Sequence, residues 1–328
     1  FLPEENNGKY VLFSALALQS PLKLRWKPEN PLTTVTGADY LVITHGKFLD
    51  QAQRLADYRQ SANNFDATVV IIEDIYDAFN HGIVHPAAIR RFLKQASQSF
   101  SPAPSYVLLF GDASWDPKGK LSPLFSNYIS SLGNPVSDAL LVCFDGESDF
   151  LPDLNIGRLP VKTVADARAA VDKIIEYENT PSARWKKQFL FISGGLDESE
   201  QQMFLKQSTA LADDFVRLEP TVGQPIFINK DDEEAQADAR SLILDAINAG
   251  TLWTNFIGHA ASRTWELMFN NPDIDDLSNK GRYPFISSMT CHTGRFAEPN
   301  QDSFGEKFLL VPDKGAIGFW GTSGWGYS

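Results

Sequence analysis

An α/β fold of parallel sheets with helices on both faces, in two consecutive halves, is what this sequence predicts. Three observations carry that expectation. Short apolar runs alternate with longer stretches of helical spacing along most of the 328 residues. The alternation pauses at Asn179-Thr-Pro-Ser182 and then restarts. Apolar residues make up 43% and charged residues 21%, which suffices for one large or two modest units with a real core.

Residues 1–37 read as a lead-in segment, the end of an upstream β domain. A strand is expected near 9–18, and the stretch to Thr36 is rich in Pro and polar residues. The N-terminal α/β subdomain spans 38–182. It opens with a strand at 39–45, a helix at 49–61 and a strand at 67–72. A helix at 86–97 has Pro86 in its first turn, where a fixed φ is favourable. The run Tyr106-Val-Leu-Leu-Phe110 reads as a buried strand that ends in Gly111-Asp112. A further strand and turn are expected at 139–145. Asn155-Ile-Gly-Arg-Leu-Pro160 then leads into a helix at 164–178.

The second subdomain spans 183–328. Strands are expected at 188–193 and 225–229, with helices at 198–217 and 235–248. The last helix closes on Gly250 as a C-cap. Two more apolar runs follow, then a helix at 303–311 and a strand at 315–321. The chain stops at Gly324-Trp-Gly-Tyr-Ser328, directly after a strand, so its carboxyl end is expected to be truncated. It begins at Phe1 rather than Met, so a longer chain with other domains is expected.

The net charge is −12 with no basic run, which sets nucleic acid aside as a partner. No apolar stretch reaches membrane-spanning length. The chain has two cysteines, too few for a metal framework. Cys143, inside Ala139-Leu-Leu-Val-Cys-Phe144, reads as a core residue. Cys291 follows a strand and precedes a polar turn, so no disulfide between the two is expected.

The chemistry concentrates at two strand ends, 32 positions apart. Thr251-Leu-Trp-Thr-Asn-Phe-Ile-Gly258 ends at His259, and Tyr283-Pro-Phe-Ile-Ser-Ser-Met-Thr290 ends at Cys291. In open parallel sheets, ligands bind beyond the carboxyl ends of the strands. If these strands are neighbours, an imidazole meets a thiol there, the minimum for cysteine-nucleophile catalysis. The alternative is that Cys291 caps a core strand and His259 bonds in a turn. His45 also ends a strand, but in the first half. His81 and His85 flank a turn, and His292 points away from its neighbour Cys291.

These residues resemble the gingipain family of cysteine peptidases (peptidase family C25, clan CD). The blocks are Gly258-His259, Trp265, Pro284-Phe-Ile-Ser-Ser-Met-Thr-Cys291, Gly294 and Phe296. Upstream, Leu41-Val-Ile-Thr-His45, Leu108-Leu-Phe-Gly-Asp112, Ile156-Gly-Arg-Leu-Pro160 and Tyr177-Glu178 are similar too, as is Gly315-Ala-Ile-Gly318 downstream. The likeness runs in order from about residue 38 to the end. It implies a caspase-like α/β fold, a Cys291 nucleophile and a His259 base, with protein or peptide substrates. It also implies an extracellular or bacterial cell-surface location. The family includes secreted peptidases and the sortase-like enzymes of type IX secretion (PorU-like).

An oxyanion hole is expected from the N–H of Cys291 and one from the Gly258–Ala260 turn. The family usually has Gly where this chain has Ala260. If that position needs positive φ, Ala would be strained by about 1–2 kcal/mol. Loose counterparts of the family's substrate-binding residues are Glu200 and Trp325. Glu200 also opens a predicted helix, where the dipole favours acids. No cofactor is required. A structural calcium ion is one reading of Asp145, Glu147, Asp149 and Asp153, because alternating carboxylates suit a hard cation and secreted members of the family carry such sites. A solvated turn is the other reading. Asp112 and Asp116 form a second candidate pair, which turn capping would equally explain. Three functions remain open at this point: a cysteine endopeptidase, a sortase-like transpeptidase, and a pseudopeptidase domain with a binding role.

Overall fold

A computed structural model of the chain describes residues 14, 29–121, 127–146 and 148–326. The strand expected at 9–18 lies outside the described residues, apart from residue 14.

Two parallel sheets form, one per half. In the first, β1 (Tyr40–Thr44), β2 (Ala67–Ile71), β3 (Tyr106–Phe110) and β4 (Asn155–Leu159) stand in the order β2-β1-β3-β4. Helices α1 (Leu49–Asn63), α2 (Ile72–Asn80), α3 (Pro86–Ser99) and α4 (Val164–Asn179) cover it. Strand β1 shows why the fold is layered. Leu41 and Ile43 pack with Ile89, Phe92 and Leu93 of α3, whereas Val42 packs with Leu55 of α1 and Val171 of α4. Alternate side chains thus face opposite helix layers, so a strand buried on both faces reads as a continuous apolar run. Each such side chain contributes about 1.5–3 kcal/mol on burial.

The second sheet contains β5 (Gln188–Ser193), β6 (Gln224–Asn229), β7 (Trp253–Ile257), β8 (Phe285–Met289) and β9 (Gly318–Gly321), in the order β9-β8-β7-β5-β6. Helices α5 (Glu198–Leu211), α6 (Glu233–Ala249) and α7 (Phe304–Leu310) flank it. Leu190, Ile192, Phe256 and Ile286 pack with Ile243, Ile247, Phe304 and Phe308 on one face. Phe189 and Phe191 pack with Ala212 and Val216 on the other. Helices α4 and α7 start with reciprocal capping boxes, Thr163 with Asp166 and Ser303 with Glu306, and α6 closes at Gly250.

Three expectations change. The run at 139–145 forms no strand. It makes a 3-10 turn, Asp138–Leu141, followed by irregular backbone, while β4 takes the fourth place in the sheet. Leu141, Val142 and Phe144 still sink into the core. Arg90 donates to Cys143 O and Lys94 to Phe144 O (2.9 Å), so side chains supply the partners that a sheet would have given. Helix α2 was not visible in the pattern, although Ile72, Ile75 and Tyr76 are buried at helical spacing. The predicted helix at 198–217 ends at Leu211, and one π-helical turn, Ala212–Val216, continues it.

The two halves are joined by polar contacts. Lys173 of α4, nearly fully buried, donates to Leu309 O at 3.0 Å and to Phe308 O at 3.3 Å. Lys162 reaches across to Asp302 and to Glu306, the latter at 3.1 Å.

Candidate active site

Strands β7 and β8 pair in parallel, with Ile257 opposite Met289. His259 and Cys291 each lie two residues beyond that pair. They therefore sit at the same level on the carboxyl edge, on strands about 4.8 Å apart. Polar pins fix this register. Trp253 Nε1 donates to Ser287 Oγ (2.7 Å), and Ser287 Oγ donates to Asn255 Oδ1 (2.7 Å). Trp265, fully buried, donates to Ser288 Oγ at 2.7 Å and stacks on Phe256. The two serines inside an otherwise apolar strand are the acceptors those indoles need.

His259 is held from both sides. Its Nε2 meets Glu200 Oε2 at 3.0 Å. Glu200 lies in the first turn of α5, with its N–H bonded to Asp197 (3.0 Å). The same carboxylate accepts the Leu196 N–H at 2.8 Å. That bond first, and His259 second, hold the Glu200 carboxyl below its ordinary pKa. The resemblance associates Glu200 with a substrate side chain, and the geometry directs it to the imidazole instead.

The backbone of His259 is set by Glu266, which the sequence reading missed. Glu266 Oε1 accepts the N–H groups of Gly195 (2.7 Å) and His259 (3.0 Å), and Oε2 pairs with Lys230. One carboxylate, 3% exposed, thus ties the carboxyl ends of β5, β6 and β7 together. A Cβ at Gly194 would stand 2.2 Å from that carboxylate, and one at Gly258 would stand 2.9 Å away. These two glycines leave the room it occupies, which is the one trace it has in the sequence.

Ala260 begins a short ribbon in which Ala260–Ala261 pairs with Thr264–Trp265. Its backbone is not left-handed, so the strain expected for Ala in a glycine position is absent. Glu266 N donates to His259 O at 3.1 Å, and Ala260 is opposite Trp265. Bonded and non-bonded pairs alternate along an antiparallel ribbon, so the Ala260 N–H turns outward from it. With the His259 N–H spent on Glu266, the Ala260 N–H is a donor this turn can offer an oxyanion.

The Cys291 thiol is half-buried and free, and its Sγ lies 3.4 Å from Gly326 N and 3.5 Å from Gly326 O. A Cβ on Gly326 would stand 2.6 Å from Thr290 O, so a glycine is needed for this close wrap. The His292 N–H donates to Gly324 O at 2.8 Å, and exposed Trp325 lies edge-on to the His292 ring. Cys143 differs. It is buried, its thiol donates to Ala139 O at 3.2 Å, and burial pushes its pKa up, as an inert core thiol requires.

In the acidic stretch, Asp149 accepts the N–H groups of Asp145 (2.9 Å) and Leu151 (3.0 Å), and Asp153 accepts that of Phe144 (2.8 Å). Glu147 lies outside the described residues. Asp116 accepts the Leu121 N–H (2.6 Å), and Asp112 accepts that of Ala113 (2.8 Å). Among the described residues, no three His, Cys, Asp or Glu side chains converge as a metal site.

The model of peptidase family C25 matches residues 33–328. The chain belongs to that family. Gingipain R2 of Porphyromonas gingivalis strain W83 is 24% identical over 295 residues, covering 87% of this chain and 36% of the relative. Gingipain R1 of Porphyromonas gingivalis is 24% identical over 276 residues, covering 81% of this chain and 25% of the relative. The chain thus spans about a third or less of the length of the curated relatives it matches. Among solved structures, the Arg specific cysteine proteinase gingipain R (RgpB) superposes with a TM-score of 0.69 at 22% identity. That match covers 92% of this chain and 66% of that one. The complex of the RgpB pro- and mature domains gives the same TM-score over 87% and 64%. The shared fold is the gingipain arrangement of parallel sheets flanked by helices, in agreement with the caspase-like α/β class expected from the sequence.

Proposed function

We propose that the chain is a cysteine peptidase acting on protein substrates through Cys291 and His259. The observation that carries this reading is the register of β7 and β8, which sets both residues at one level on one sheet edge. With Nε2 turned to Glu200, His259 Nδ1 is the nitrogen left to take the thiol proton. The thiolate attacks the scissile carbonyl carbon, a C–S bond forms, and the oxyanion is met by the N–H groups of Cys291 and Ala260. The C–N bond then breaks, and His259 returns the proton to the leaving amine. Water adds to the thioester and releases the acid and the thiol. An amine in place of water would make the same site a transpeptidase. Exposed Trp325 is suited to wall the substrate cleft. The location that goes with this reading is extracellular or at a bacterial cell surface.

The test is a panel of peptidyl acyloxymethyl ketones read by intact mass. A single adduct on Cys291 that disappears in His259→Ala is the expected result. A folded protein that forms no adduct with any member of the panel would sink the proposal and leave a binding role. Adding a peptide amine to the substrate assay separates hydrolysis from transpeptidation by the mass of the product.

A further inference from the structure

A cavity of about 860 Å3 opens beside the nucleophile loop. Both halves build it: His85, Trp115 and Lys118 come from the first, and His292, Arg295 and Trp325 from the second. It adjoins the chemistry through covalent neighbours. His292 follows Cys291, and Trp325 lies between Gly324, which accepts the His292 N–H, and Gly326, which touches the Cys291 sulfur. A polypeptide bound across that sulfur would lie within a residue or two of this wall.

The charge of the lining departs from that of the molecule. The chain carries −12, yet no Asp or Glu lines the cavity among the described residues. Lys118 is exposed at the cavity wall. Arg295 is held through Nε by Glu298, which leaves its terminal nitrogens as donors and offsets part of its charge. His85 Nδ1 accepts the Ala87 N–H (3.1 Å), so Nε2 is its donor. An arginine or lysine side chain entering here meets like charge, and the carboxylate behind the wall, Glu298, is already paired with Arg295. A carboxylate finds a lysine and several donors.

We infer that this cavity is a subsite for acidic side chains, so that the site selects polypeptide segments with Asp or Glu next to the scissile bond. The inference rests on the peptidase reading of Cys291. It assigns the opposite charge to the arginine in the description of the solved gingipain R.

The experiment separates binding from chemistry. Labelled octapeptides that are Asp/Glu-rich, Lys/Arg-rich or neutral are titrated into the full chain carrying Cys291→Ala, and anisotropy is read at low and high salt. The acidic peptide is expected to bind about fivefold or more tighter than the basic one, with the gap narrowing as salt rises. Lys118→Glu and Arg295→Glu are each expected to shrink or invert the preference. Lys187→Glu, an exposed charge where β5 begins, serves as the control and is expected to leave it unchanged. Equal or tighter binding of the basic peptide overturns the inference, as does a Lys187→Glu effect equal to that of Lys118→Glu. The same peptides given to the unsubstituted chain test the other reading. Acidic preference without cleavage counts against the peptidase, and cleavage without acidic preference counts against the subsite.

Discussion

The carboxyl edges of the two sheets are built alike and end differently. In the first half, His45 follows β1, and Gly111-Asp112 follows β3. In the second, Gly258-His259 follows β7, and Cys291 follows β8. Both histidines meet a glutamate, His45 with Glu73 at 3.2 Å and His259 with Glu200 at 3.0 Å. His45, however, also accepts the Lys47 N–H on Nδ1 (3.0 Å), so both of its ring nitrogens are used. Among the described residues, only Nε2 of the His259 ring has a hydrogen-bond partner. Asp112 is fully buried beside Lys162 (3.6 Å), whereas Cys291 is only partly buried and its sulfur meets the backbone of Gly326. On the peptidase reading proposed above, the second edge is the reactive one because it leaves an imidazole nitrogen and a thiol reachable.

The largest effect that would break this contrast is loss of the proposed nucleophile. Cys291→Ala is expected to lower kcat by about ten-thousand-fold or more, while Cys143→Ala leaves kcat within about twofold and lowers Tm. Residual turnover in Cys291→Ala would place the chemistry elsewhere.

A smaller effect is expected from the supports of His259. Glu266→Ala should cut kcat about a hundredfold with KM nearly unchanged, because the carboxylate sets the imidazole and not the substrate. Glu266→Gln should recover much of the loss, since an amide oxygen still accepts from Gly195 and His259. Glu200→Gln should cost about tenfold in kcat/KM, less than a buried triad carboxylate would, because this one is partly exposed. The matching change in the other half, Glu73→Gln, should leave both parameters alone. If KM rises while kcat holds in Glu266→Ala, the residue contacts substrate and the positioning argument fails.

The same contrast shows what a sequence carries. Parallel strands buried on both faces write mostly apolar runs, so β1, β3 and β5 were legible, as were β7 and β8 despite the polar residues Thr254, Asn255, Ser287 and Ser288 inside them. The run at 139–145 has that composition without being a strand, because Arg90 and Lys94 complete its carbonyls from a distant helix. Helix α2 follows β2 with no break between Ile71 and Ile72, so its own spacing was blurred. His259 and Cys291 were legible because strand ends are where sheets expose side chains. Glu200 was noticed, but its target was not, since 59 residues separate it from the imidazole it meets. Glu266 follows Trp265, one of the blocks of the resemblance, but nothing in the sequence pairs it with Gly195, Lys230 or His259. Its function exists only in the space left by Gly194 and Gly258.

The smallest effect lies at the closed edge. Asp112 and Glu306, both buried, face each other's charge across the halves with Lys162 between them and Asp302 beside it. Burial is the first cause that raises both carboxyls. Lys162 opposes it, and Glu306 is pushed up to about 7. An unfolded glutamate loses its proton as pH rises through about 4.5, while the folded one still holds it until about 7. The folded state therefore binds the extra proton in this window. The stabilisation is complete below about pH 4.5 and is lost as pH rises through about 7. Glu306→Gln keeps a neutral side chain at every pH. It is expected to flatten this part of the Tm profile between pH 5 and 8 by about 2–4 °C. Parallel wild-type and variant profiles would show that the pair does not titrate there. At fixed pH, kcat in this variant should stay within about twofold of wild type, because the charges it alters lie at the closed edge and not beside Cys291.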